Sequence, residues 1–153
     1  MTMKRAQRLE MVQNVVDDAE RRRAEALALS ERRTGESEAK LAELESYHAS
    51  YVRGFAARAQ TGIDGNMARD YQAFLARLEE AIRQQTQIVT RTRAQRDSEM
   101  QNWQGAAQRA EAVGQMVKRF QTEEVRAADQ REQQESDERS ARAWAFGMVA
   151  RGA

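Results

Sequence analysis

The chain has 153 residues, enough for one ordinary domain, with 32% charged residues, 6% aromatic residues, no proline and no cysteine. A composition rich in Gln, Glu, Arg and Ala is typical of long helices and coiled coils, and the lack of proline argues against disorder. The 25 basic and 24 acidic residues nearly balance, which argues against a general nucleic-acid binder with a clustered basic excess. Without cysteine, disulfides and thiolate metal sites are excluded.

Targeting signals are not found in the sequence. Residues 1–10 lack the apolar core of a signal peptide. No segment approaches the roughly 20 apolar residues of a membrane span. We therefore expect a cytoplasmic protein without a transmembrane segment.

The first predicted helix covers about residues 4–58, where nothing in the sequence would stop a helix. It carries two apolar stripes at helical spacing, separated by a stretch of mostly Ala, Arg and Ser. The stripes consist of Leu9, Val12, Val16 and Ala19, and of Leu41, Leu44, His48, Tyr51 and Phe55.

Clustered helix breakers occur only at residues 61–66, which predicts a turn over about residues 59–66. Gly62 suits the left-handed position that ends a helix, because glycine has no Cβ to clash there. Asn66 suits the position just before the next helix, where its side chain can accept a backbone hydrogen bond.

The second predicted helix, about residues 67–142, has the clearer pattern. Its seam alternates steps of four and three residues, a repeat of about 3.5 that indicates a left-handed supercoil. The seam is apolar near both ends and polar between Gln85 and Glu99. Its positions are Tyr71, Leu75, Leu78, Ile82, Gln85, Val89, Thr92, Arg96, Glu99, Trp103, Ala106, Ala110, Val113, Val117 and Phe120.

One register fits both helices. If the chain folds back at the turn so that paired residue numbers sum to about 126, Phe55 meets Tyr71 and Leu9 meets Val117. Apolar positions then face apolar ones near both ends, and the polar middles coincide. We predict an all-α fold over residues 1–143, an antiparallel coiled-coil hairpin of two long helices. Residues 144–153 are expected to form an apolar, flexible C-terminal tail, either a docking segment or a frayed end.

The sequence offers no catalytic constellation. His48 is the only histidine, no glycine-rich loop follows a strand, and the many carboxylates lie on solvated helix faces. We therefore expect no enzyme activity, no cofactor and no metal site. His48 is expected to pack in the seam or at its edge.

Aromatic residues crowd together near the turn, more than a two-helix seam can bury. Tyr47 and Phe74 lie off the best seam, so they are expected to face outward. Exposed aromatic side chains are typical of protein interfaces. The alternative is that they only thicken the core. The crowded set is Tyr47, Tyr51, Phe55, Tyr71 and Phe74.

With these residues the chain resembles the FliJ family of flagellar export proteins, over about residues 3–142. The resemblance depends on the architecture and on two segments, residues 41–51 and 70–82. Their shared pattern places three residues of one helix opposite three of the next. These are Leu44, Tyr47 and Tyr51, facing Phe74, Leu78 and Ala81.

The resemblance implies a role like that of the central stalk of a rotary ATPase. Such a protein enters the pore of the hexameric flagellar export ATPase, contacts the membrane-embedded export gate and binds export chaperones, at the inner-membrane export apparatus. The six residues of the two segments would form the gate patch, with Lys40 and Gln85 as polar neighbours. The ATPase-facing residues, placed by location rather than by a motif, would be Arg5, Arg8, Leu9, Val12, Val117 and Phe120.

Three alternatives remain open at this point. The chain could be the equivalent stalk of a virulence type III secretion system, which would share the architecture. It could be a purely structural coiled coil that self-associates and tolerates loss of Tyr47 or Phe74. Nucleic-acid binding is suggested only by residues 21–23 and 32–33, whose arginines have acidic neighbours.

Overall fold

Two helices make up the fold. The computed structural model describes residues 4–151, in which α1 spans Arg5–Thr61 and α2 spans Gly65–Arg151, with no strand in that range. The helices, of 57 and 87 residues, run antiparallel and pack against each other. Neither contains proline, and a single internal glycine costs only about 1 kcal/mol relative to alanine. The predicted all-α hairpin of two long helices is confirmed.

The turn is shorter than predicted and is capped by a different residue. Gly62 has a φ of 96°, the left-handed conformation predicted for it. Asp64, rather than Asn66, caps α2, because its Oδ1 accepts a hydrogen bond from the Met67 amide at 2.9 Å. A carboxylate three residues before that amide has the right reach, so α2 begins at Gly65.

The C-terminal part of α2 also differs from the prediction. The sequence placed the helix end near Arg142 and a separate tail after it, whereas α2 continues through residues 144–151. Gly147 is the only weak helix former in that stretch, and one glycine does not end a helix that is otherwise favourable. Residues 152–153 of the predicted tail lie outside the described part of the chain.

The chain divides into two compact units. The turn unit is Ala19–Ala106, and the terminal unit combines Met1–Asp18 with Ala107–Ala153, of which residues 4–18 and 107–151 are described. Each contains a segment of both helices. The two units are described separately below.

The turn unit has a seam that changes character along its length. Apolar side chains are buried at Leu27, Leu78, Val89 and Ala106. Between these lie buried polar side chains, as the coinciding polar middles of the two helices predicted. The polar set is Ser30, Thr34, Ser37 and Gln85.

Hydrogen bonds between the helices pair three residues of this polar set, Thr34, Ser37 and Gln85. The Thr34 hydroxyl lies 3.1 Å from the Thr92 carbonyl oxygen, and the hydroxyls of Ser37 and Thr92 are 2.9 Å apart. Gln85 Nε2 donates to the Ser37 carbonyl at 2.9 Å. Because buried polar groups are costly only when unpaired, these bonds let a polar seam pack.

Apolar contacts of the terminal unit follow the predicted pairing. Leu9 and Val117 line the same groove. Gln13 packs beside Gly114, with its Oε1 3.6 Å from the place a Cβ would occupy. The Val16 side chain is half-buried. The buried apolar side chains of the described residues all lie in the turn unit, and the described apolar side chains of the terminal unit are half-buried or exposed.

Candidate protein-binding surfaces

The turn unit contains a cluster of five aromatic rings from both helices, here called the aromatic cluster. Tyr51 lies at its centre, with ring centroids 4.4 Å from Phe74 and 5.0 Å from Tyr71. Phe55 contacts Tyr71 at 5.2 Å. Tyr47 completes the cluster, 6.3 Å from Tyr51 and 6.2 Å edge-on from Phe74. Aromatic pairs in this distance range attract each other beyond their area burial.

The members of the predicted gate patch lie at different depths. Tyr47 is 54% exposed, as expected of an outward-facing ring. Phe74 is half-buried against Tyr47 and Tyr51, so the expectation that it faces outward is wrong. Leu78 is only 8% exposed and supports the patch from below. Leu44, Tyr51 and Ala81 are half-buried.

Of the two polar neighbours of the patch, one is exposed and the other is buried. Lys40 is exposed, so it remains available to a partner. Gln85 is buried and donates its hydrogen bond to Ser37, so it belongs to the seam. His48 is half-buried at the seam edge, as predicted, with its Nε2 3.4 Å from Glu79 Oε1.

The terminal unit presents a different kind of surface, here called the basic groove. The Arg5 guanidinium lies 4.8 Å above the centre of the Phe120 ring, a distance at which a cation is attracted to the face of an aromatic ring. Leu9 and Phe120 form the apolar floor, and Arg119 and Glu123 line the rim. The result is an apolar floor with a mostly cationic edge.

The other residues predicted to face the ATPase lie on or near this groove. Arg8 and Val12 are exposed, and Val117 is half-buried beside Leu9. Met116, an exposed apolar side chain that the sequence analysis missed, also lines the groove. Met11 and Val15 are further exposed apolar side chains of this unit. Val15 could have been found, because it follows Val12 by three residues and so shares its helix face.

Residues 4–151 contain no cluster of His, Cys, Asp and Glu that could hold a metal ion. Within the same range, no helix is long and apolar enough to cross a membrane. On an exposed face of α2, hydrogen bonds from Arg83, together with its positive charge, lower the pKa of the Glu80 carboxyl.

The family model described as "Flagellar FliJ protein" matches residues 3–147, nearly the whole chain. The chain belongs to the flagellar FliJ family. It is therefore a component of the flagellar type III protein export apparatus, and the FliJ family is a non-catalytic part of that apparatus. Comparisons with curated proteins and with solved structures gave no match.

Proposed function

We propose that the chain is a non-enzymatic, stalk-like coiled coil that links the hexameric flagellar export ATPase to the membrane export gate and binds export chaperones. It would work in the cytoplasm, peripherally associated with the inner-membrane export apparatus. The observation that carries the proposal is that the two units present chemically different surfaces, one aromatic and one apolar with a basic rim. FliJ family membership supports the setting in the export apparatus.

The aromatic cluster is proposed to bind the gate. Tyr47 would be the principal contact, because its ring is exposed and yet held on two sides by Tyr51 and Phe74. A ring that is already ordered loses little conformational entropy on binding, which favours affinity. The half-buried residues below it would shape the patch and contribute less contact area.

The basic groove is proposed to bind the ATPase. Arg5 and Arg8 supply positive charge, and Leu9, Val12 and Phe120 supply apolar area that is only partly covered. Charged groups at the edge of an interface accelerate association and make it sensitive to salt. We therefore expect binding of the ATPase to weaken as ionic strength rises.

ATP hydrolysis by the flagellar export ATPase of the same organism, measured with and without this protein at matched salt, tests the proposal. We expect stimulation that saturates well below one copy per ATPase subunit, as a single stalk per ring requires. No stimulation together with no co-migration with the ATPase would contradict the proposed link.

A matched pair of variants assigns the effect to the basic groove. Arg5→Glu with Arg8→Glu should abolish most of the stimulation. Arg126→Glu with Arg131→Glu makes the same change in net charge at exposed positions of α2 outside the groove and should leave the stimulation intact. Equal loss in both variants would mean that net charge, rather than the groove, governs the interaction.

A further inference from the structure

The last part of α2, residues 125–151, has no described segment of α1 beside it and is here called the α2 extension. Arg5, the first residue of α1, already lies at the level of Phe120. Four large apolar side chains of the extension are exposed, Val125 at 61%, Phe146 at 79%, Trp144 and Met148. The extension is thus a helix with uncovered faces.

One face of the extension repeats the spacing of the seam. Its positions alternate steps of three and four residues, which aligns them in a stripe suited to a second helix. The stripe is apolar at its two ends, acidic in its first half and basic in its second half. Its members, all exposed, are Val125, Ala128, Glu132, Glu135, Arg139, Arg142 and Phe146.

We propose that this stripe binds the α2 extension of a second copy of the chain, in antiparallel orientation. In a pairing centred at residue 137, residues equally distant from the centre face each other across the two helices. Glu132 then faces Arg142, and Glu135 faces Arg139. Ala128 faces Phe146, where a small side chain leaves room for a large one.

The charge order selects the antiparallel orientation. In a parallel, in-register pair Glu132 would face Glu132 and Arg139 would face Arg139, and like charges at facing positions repel. The antiparallel pair instead places every charge of the stripe opposite its complement. The order of charges along the stripe is self-complementary. This order identifies the occupant as a second copy of the chain.

Few existing contacts need to be broken for this pairing. Arg142 lies 3.9 Å from Glu138, and both side chains are mostly exposed, so this ion pair contributes little. Arg139 Nε donates to the Glu135 carbonyl oxygen at 3.3 Å, which leaves the Glu135 carboxylate available. Each copy places four charged side chains in the contact, so the dimer is weak. Its affinity falls further as the salt concentration rises.

Charge-reversal variants of the full-length chain test the pairing by sedimentation velocity at low salt. The acidic-half variant Glu132→Arg with Glu135→Arg makes all four charges of the stripe positive, and the basic-half variant Arg139→Glu with Arg142→Glu makes all four negative. Each variant alone should dimerise at least about tenfold more weakly than the parent chain. An equimolar mixture should recover the dimer, because every facing pair is then complementary.

A matched control reverses charge on the opposite face of the same helix. Glu123→Arg with Asp137→Arg equals the acidic-half variant in net charge, and by helical spacing neither residue lies on the stripe. It should dimerise like the parent chain. Circular dichroism of every variant separates lost pairing from lost helix, and recovery in the mixture also excludes misfolding.

Three outcomes would overturn the inference: a monomeric parent chain at all concentrations, dimers that persist in both reversal variants alone, or failure of the mixture to recover association. The inference goes beyond the proposed stalk function and does not depend on it. The stripe avoids the basic groove and the aromatic cluster, so its failure would leave the ATPase and gate proposals to their own tests.

Discussion

The side-chain amide of Gln85 on α2 donates a hydrogen bond to the main-chain carbonyl of Ser37 on α1 at 2.9 Å, and both residues are buried. The bond joins a side chain of one helix to the backbone of the other, so it fixes the position of one helix along the axis of the other. The hydroxyl pair of Ser37 and Thr92 lies close by. A polar seam of this kind specifies register more strictly than an apolar one, since a shift would leave the buried groups unpaired.

Two replacements of Gln85 should separate the contribution of its packing to the free energy of unfolding from the contribution of its hydrogen bond. Gln85→Ala removes both and leaves a cavity, so we expect a loss of about 1–3 kcal/mol in the free energy of unfolding. Gln85→Leu keeps the volume, and the Ser37 carbonyl keeps its bond within the helix, so a change within about 1 kcal/mol is expected. Urea unfolding followed by circular dichroism measures both. An equal loss in the two variants would show that the hydrogen bond itself dominates.

The glycines on either side of the turn should respond in opposite directions to alanine. Gly62 has a φ of 96°, so Gly62→Ala should cost about 1–2 kcal/mol. Gly65 begins α2 with a normal φ and open space around its Cα, so Gly65→Ala should be neutral or stabilise by up to about 1 kcal/mol. Thermal unfolding of the two single variants tests the turn geometry. A tolerated alanine at position 62 would refute the left-handed conformation.

Trp103 and Glu20 form a hydrogen-bonded pair between the helices just beyond the polar part of the seam. The indole Nε1 donates to Glu20 Oε1 at 2.8 Å, and both residues are half-buried. We expect a double-mutant cycle with Trp103→Phe and Glu20→Ala to give a coupling energy of about 1–2 kcal/mol, as for a hydrogen bond to a charged group. A coupling energy near zero would mean that solvent replaces the bond without loss.

The carboxyl of Glu80 should titrate at a lower pH than a free glutamate side chain. Its hydrogen bond with Arg83, reinforced by the positive charge, lowers its pKa. The pKa of Glu80 is lower in the folded chain than in the unfolded chain. The pair therefore stabilises the fold at pH values above the unfolded-state pKa, and this contribution is lost as the pH falls through the folded-state pKa. Titration by carbon-detected NMR should show most of the pKa shift lost in Arg83→Gln, with the smaller contribution of the Gln84 hydrogen bond remaining. Arg91→Gln, which removes an equal charge elsewhere on α2, should preserve the whole shift.

Loss of the Tyr47 ring should impair gate binding and leave the fold intact. The ring is 54% exposed, so Tyr47→Ala should weaken affinity for the purified cytoplasmic domain of the gate about tenfold or more, with little change in helicity. Val52→Ala, an exposed apolar change on another face of the same helix, serves as the control. Calorimetric titration that finds both variants equal to the parent chain would remove Tyr47 from the interface.

Replacement of Tyr51 and Phe74 gives a less direct answer than replacement of Tyr47. Their rings lie 4.4 Å apart and are half-buried. The double alanine variant therefore removes packing as well as any contact surface, and destabilisation is expected alongside loss of binding. Tyr47 is the better probe because its ring lies at the edge of the aromatic cluster.

Helix type, helix number and pairing register were all available in the sequence. The repeat of about 3.5 residues requires one face of each helix to meet a partner, and the absence of proline leaves the breakers at residues 61–66 as the only place to turn. The contact of Phe55 with Tyr71 follows the predicted pairing. These features depend on local spacing along the chain, which a sequence shows directly.

The burial of each side chain and the identity of the residue that caps α2 depend on how the two helices pack. Phe74 lies off the best seam but is half-buried, because Tyr51 and Tyr47 extend from α1 to cover it. The seam repeat places Gln85 between the helices, but the Ser37 carbonyl that accepts its hydrogen bond comes from the opposite helix. Asp64 displaces Asn66 as the cap because its carboxylate reaches the Met67 amide. Burial and hydrogen bonding depend on atoms from both helices, so spacing along one of them could not determine these details.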